Sequence, residues 1–214
     1  MKTVKRMNAL LGLTLILASN ISHAQTAEEI LLNIQQEWAN CQYQISGEDL
    51  KTSCLEKNIM ANEEALKAAP NSNELKVWLA INNSSLAGVK GGLGALSLVK
   101  KAKQLLEEVI ESDPYVLHGS AYTSLGSLYY QVPGWPIGFG DDEKAEKMLK
   151  KALIINPLGI DPNYFYADFL KEDGRKAEAI KYFKQAQQAE PRPNRAIADK
   201  GRMQEINNKL KELN

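Results

Sequence analysis

Residues 161–191 read DPNYFYADFLKEDGRKAEAIKYFKQAQQAEP, and they parse as one helix–turn–helix unit. The first helix carries Tyr164, Tyr166, Ala167 and Leu170, the second Ala177, Ile180, Phe183 and Ala186. Ala167 and Ala179 stand where the two helices should cross, and a methyl at each lets the backbones approach closely. Phe183 fills the space further along the crossing. Asp173-Gly174 ends the first helix, because glycine accepts the left-handed conformation of a C-terminal cap. Pro191 ends the second, because it has no amide proton to give to another turn.

Working backwards, the same pattern recurs. Ala179, Phe183 and Ala186 stand 12, 8 and 5 residues before Pro191; Ala145, Leu149 and Ala152 keep those distances from Pro157, and Ala102, Leu106 and Val109 from Pro114. In the matching first helix, His118 to Tyr130, the residues Leu125, Gly126 and Tyr129 take the marker positions. Gly126 to Ala145 is 19 residues, whereas Ala167 to Ala179 is 12, so seven residues are inserted. They fall in Val132-Pro-Gly-Trp-Pro-Ile-Gly-Phe-Gly140, after which Asp141 or Asp142 caps the next helix. The insertion carries Trp135 and Phe139. It either offers an aromatic lip to a partner or folds back to plug the edge of the stack. Among the tyrosines on the first helices, Tyr129 and Tyr166 are expected in the core, and Tyr130 and Tyr164 are candidates for a groove.

Upstream, Asn73 to about Ala87 reads as a helix with Leu75, Trp78, Leu79 and Leu86 facing inward. The glycine-rich segment 88–94 is expected to be a flexible connection. It lacks the Gly-Lys-Ser/Thr of a phosphate loop and the strand that precedes one. Thr26 to Ile45 and Leu50 to Ala69 form two further helices, with Ala61 and Ala65 read as a small-residue strip on the second. Cys41 near the end of one and Cys54 near the start of the other come side by side in a helical hairpin and are expected to form a disulfide. Arg195 to Leu213 reads as a final helix whose inner side holds Ile197, Met203, Ile206, Leu210 and Leu213. Its other face is polar and closes the stack.

Residues 1–24 read as a cleaved signal peptide. Lys2, Lys5 and Arg6 precede the apolar run Ala9 to Ala18, and Ser22-His23-Ala24 supplies a small-residue exit. That run is half the roughly 20 residues a membrane helix needs, and no cysteine follows the cut for a lipid anchor. Without the leader, 23 basic residues face 26 acidic ones, a net charge of −3, which argues against a polyanion such as nucleic acid. The mature chain has one histidine, His118, and two cysteines, too few for a zinc site, so neither metal nor cofactor is expected. Asp141-Asp142-Glu143 suits a helix start better than a metal. No GxSxG elbow accompanies His118, so catalysis is not expected.

The chain resembles the tetratricopeptide-repeat (TPR) superfamily, most clearly across residues 73–191. The segments GVKGGLGAL, GSAYTSLGSLYYQVPGWPIGFGDD and NPLGIDPNYFYADFL are similar to those of a group of small periplasmic repeat proteins of proteobacteria. More distantly, the chain is similar to the repeat subunit of tripartite periplasmic transporters. The resemblance implies an all-α superhelix of about nine helices: a degenerate hairpin over 25–72, repeats over 73–191 and a capping helix over 192–214. The repeat spacing points to a scaffold that binds a protein or peptide on its concave face, with Tyr130, Trp135, Phe139 and Tyr164 as candidate contacts, and the resemblance adds a periplasmic location. The alternative it implies is a small-ligand-binding accessory subunit of a transport system, with an apolar pocket beneath the insertion.

Overall fold

The structure, a computed structural model, describes residues 26–213; the expected leader lies outside them. Nine α-helices and no strand occur among the described residues: α1 (Ala27–Tyr43), α2 (Glu48–Ala68), α3 (Asn73–Lys90), α4 (Gly92–Ser112), α5 (Ser120–Gln131), α6 (Asp142–Ile155), α7 (Ile160–Glu172), α8 (Lys176–Gln187) and α9 (Ala196–Leu213). No described helix is long and apolar enough to cross a membrane.

Local chemistry sets the helix ends. Thr26 accepts the Glu29 amide while the Glu29 carboxylate accepts the Thr26 amide, a reciprocal capping box at the start of α1. Ser72 caps α3, and Asp141 Oδ1 accepts the Lys144 amide at 3.0 Å to cap α6. Helices then pair in sequence, α1 with α2, α3 with α4, α5 with α6 and α7 with α8. The nine residues found at repeating distances from Pro114, Pro157 and Pro191 are all completely buried. Ala102, Ala145 and Ala179 lie in one continuous core with Leu106, Leu149 and Phe183, so small residues at the crossings do let each pair nest.

Cys41 and Cys54 form a disulfide that joins α1 to α2. One strip of that hairpin departs from the sequence reading. Ala61 is exposed, and the inward positions on α2 are Cys54, Leu55, Asn58, Ile59 and Asn62. Asn58 Nδ2 donates to Ile34 O at 3.0 Å and to Asn82 Oδ1 at 2.9 Å, tying α1, α2 and α3 together. Asn82 donates to Trp78 O at 2.9 Å, so buried amide groups, satisfied by one another and by the backbone, take the inward place expected of Ala61, while Ala65 packs partly buried on the core.

The glycine-rich connection is also shorter than read. Gly88 and Gly94 are helical, and the break is at Gly91, whose φ of 60° is open to glycine.

The C-terminal helix differs most. It packs on α7 and α8 as a cap should, and also on α1. The stack therefore closes on itself, with first and last helices in contact. Ala198 joins the core of the N-terminal pair. Gly201 meets Tyr43 so closely that an added Cβ would lie 2.3 Å from the tyrosine ring. With two sides buried, α9 has no wholly polar face: Ile197 is exposed and Arg202 is buried. Gly201→Ala is expected to cost about 1–3 kcal/mol, as overpacking does in a filled core. Urea unfolding checks it, and an unchanged midpoint would mean that α1 and α9 are not in contact.

Candidate functional site

Closure of the stack leaves a partly enclosed cavity of about 980 Å³ on its inner side. Its walls come mainly from α1, α3, α5, α7 and α9, with Lys51 the one contribution of α2, while α4, α6 and α8 lie outside. Trp38, Trp78, Tyr164 and Phe165 give it an aromatic lining; Ser84, Ser85, Ser120, Ser124 and Ser127 give it a hydroxyl-bearing side. The aromatic groups are locked in place. Trp38 and Trp78 pack edge to face at 5.6 Å, and the Trp38 indole donates to Ser85 Oγ at 2.8 Å.

At the α4–α5 turn, Leu117, His118 and Gly119 follow one another in the left-handed region, with φ of 47°, 55° and 75°. Two of the three have side chains, and both of these residues line the cavity. Backbone of this kind persists only where its surroundings impose it, and such positions concentrate at binding sites.

The charges are concentrated on one wall. Asp161, at the start of α7, accepts from Arg192 at 2.6 Å and from Arg202 at 2.9 Å. Arg192 also holds Asp199, at 2.7 Å, and Arg202 pairs with Glu205. Burial alone would push the Asp161 carboxyl up, but Arg192 and Arg202 together hold it well below its ordinary range. Arg202 spreads over the Tyr164 and Phe165 rings at 4.1 and 4.7 Å, cation–π contacts on the cavity wall.

Arg195 is different. It lies 4.8 Å from the Trp78 ring centroid and lines the cavity, yet its side chain makes no hydrogen bond or ion pair among the described residues. Burial, and then repulsion from Arg192, pull its guanidinium down to about 10, so it stays charged at neutral pH.

Of the four residues singled out as partner contacts, Tyr164 alone lines the cavity. Tyr130 is half-buried, and its hydroxyl donates to Asp168 at 2.9 Å; Asp168 is in turn paired with Lys209 of α9. The two aromatic residues of the insertion part ways. Phe139 packs edge to face on Tyr129 at 5.9 Å, whereas Trp135 is 90% exposed. No residue of 132–140 lines the cavity, which is therefore not beneath the insertion as expected. Asp161, Arg195 and Arg202 were missed. Their one trace in the sequence is the Arg195–Arg202 spacing, which puts both arginines on the same side of a helix assumed to be polar there.

Residues 160–193 match the family model described as "Tetratricopeptide repeat". No curated protein matches. Among solved structures, TTC0263, a thermophilic TPR protein of Thermus thermophilus, is similar with a TM-score of 0.61 and 22% identity, over 88% of this chain and 81% of that one. MamA is similar with a TM-score of 0.45 and 20% identity, over 79% of this chain and 93% of that one. The likeness to TTC0263 shows the fold, an all-α helical repeat. The match to the repeat model falls on the unit that the sequence reading began from.

Proposed function

We propose that the chain is an exported, periplasmic binding module that holds a segment of a partner protein or peptide by non-covalent contacts alone. The observation that carries this reading is the cavity: the first helix of every pair, and α9, face one aromatic-lined space of about 980 Å³. That is at the upper end of the sizes ligand pockets take, and a space of this shape gains affinity from rigidity. A net charge of −3 after loss of the leader favours a protein or peptide over nucleic acid. Trp135, on the insertion, supplies a second aromatic contact outside the cavity, of the kind that anchors interfaces. Phe139 ties the insertion that carries it to α5 through Tyr129.

In-cell photocrosslinking tests the reading. A photoreactive residue at Ser124, inside the cavity, and another at Trp135 should capture the same protein from the periplasmic fraction. Excess unlabelled chain should compete with it. Capture from exposed Ala61 on the outer surface, with none from Ser124, would contradict it.

A second reading is favoured by the contact of α9 with α1, which encloses the cavity more than a peptide groove requires. A small molecule would then be the occupant, and native mass spectrometry of gently purified protein should show an added mass.

A further inference from the structure

Four buried polar side-chain atoms have neither a hydrogen-bond partner nor an ion pair among the described residues: Trp78 Nε1, Thr123 Oγ1, Asn163 Oδ1 and Arg195 Nε. Three of them belong to residues that line this cavity. Buried polar groups in folded proteins are nearly always satisfied, and a cluster of exceptions calls for a missing partner. Two of the three, Trp78 and Arg195, are in direct contact, the guanidinium carbon 4.8 Å from the indole centroid. Both offer N–H donors, and one carries a positive charge.

We propose that this cavity binds an organic monocarboxylate with an apolar body, and that Arg195 is its counter-ion. The proposal rests on the binding-module reading and names the chemistry of the occupant. A carboxylate offers two acceptor oxygens on a short fork, which matches the guanidinium edge. The apolar body lies against Trp38, Trp78, Tyr164 and Phe165, while the serines of α3 and α5 accommodate further polar groups. A single negative charge fits better than two. Arg192 and Arg202 are already occupied by Asp161, Asp199 and Glu205, so a second charge would meet carboxylates. Lys51 also lines the cavity without a carboxylate partner, but its ammonium is held by Gln42 O at 2.9 Å, whereas the Arg195 guanidinium has no hydrogen bond among the described residues; Glu190 is an exposed carboxylate and adds no positive charge. The carboxylate could be that of a small organic acid or the free C-terminus of a peptide.

The test follows the side-chain N–H resonance of Arg195 in the intact mature protein. The probes are 3-phenylpropionate, its amide, and a tripeptide ending in phenylalanine as the free acid and as the amide. At least one acid should shift the resonance saturably with a dissociation constant of about 1 mM or below. The matching amide should bind at least about tenfold more weakly. Arg195→Gln should abolish the preference for acid over amide, and Arg195→Lys should restore part of it.

The melting temperature separates this role from a structural one. Arg195 has no ion pair to lose, so Arg195→Gln forfeits only the contact with the Trp78 ring and should melt within about 5 °C of the wild type. Tighter binding of the small acid points to a metabolite, and tighter binding of the peptide acid to a partner's chain end. Equal shifts for acid and amide, no saturable shift with either acid, or a melting temperature lowered by more than about 5 °C in Arg195→Gln would overturn the proposal. A crosslinked partner that Arg195→Gln still captures would leave the binding-module reading standing and remove only the anion anchor.

Discussion

Asp161→Ala is expected to lower the stability of the protein by about 3 kcal/mol, the low end of what removing one member of a buried ion pair costs. Asp161 is the one carboxylate that Arg192 and Arg202 share among the described residues. Without it, Arg202, 8% exposed, keeps Glu205, and Arg192 keeps Asp199, which is why the loss is not larger. For a chain of this length the change amounts to about 6–12 °C in melting temperature. The pH dependence has a definite sign. The folded Asp161 carboxyl sits below its unfolded value, so its contribution is complete above about pH 4 and disappears as the pH falls. Wild type and Asp161→Asn should therefore differ fully at neutral pH and converge in acid. Glu146 acts in the same direction: the Arg175 hydrogen bond outweighs burial and holds its carboxyl at about 2, so its share is lost between about pH 4 and pH 2. Urea unfolding of both chains across that range measures the effect. A gap that widens in acid would show that Asp161 is not held as an anion.

The Cys41→Ser/Cys54→Ser double variant is expected to lose a further independent amount, also about 3 kcal/mol. That is the chain-entropy value for closing a loop of this length, here a separation of 13 residues. The two serines occupy buried sites, Cys41 being completely inaccessible, which adds a desolvation cost to the loss of the crosslink. The consequence reaches the cavity. α1 carries Trp38 and Tyr43, which form one wall and the contact with α9, and the disulfide fixes α1 to the rest of the stack through α2. The double variant should therefore combine a lower urea midpoint with weaker binding of any cavity ligand. An unchanged midpoint would mean that the crosslink closes a loop already ordered without it.

How much of this the sequence carried depends on the range of the contact. Alanines and large apolar residues at fixed distances from Pro114, Pro157 and Pro191 were legible because each packs against its own repeat or the next one. The disulfide was legible because a helical hairpin brings Cys41 and Cys54 together within one local unit. The contact of α1 with α9 was not. It is made between the two ends of the chain through Gly201, Ala198 and Tyr43, small or mixed-character residues that break no pattern. Once those ends meet, Arg202 must be buried, and Asp161 on α7 becomes its partner. No window around either residue contains the other. The asparagines of α2 and α3 were hidden for a related reason: Asn58 and Asn82 read as polar surface until the structure pairs them. The cavity and its free arginine are consequences of closure, so they could not be read before it.

The same dependence says what to measure. If the stack closes, the Tyr43 ring lies directly over Gly201, with no side chain between them. In the mature protein, proton–proton Overhauser spectra should then show strong cross-peaks between the Tyr43 ring protons and the Gly201 α-protons. Both resonances assigned, and no cross-peak between them, would mean an open superhelix without an enclosed cavity.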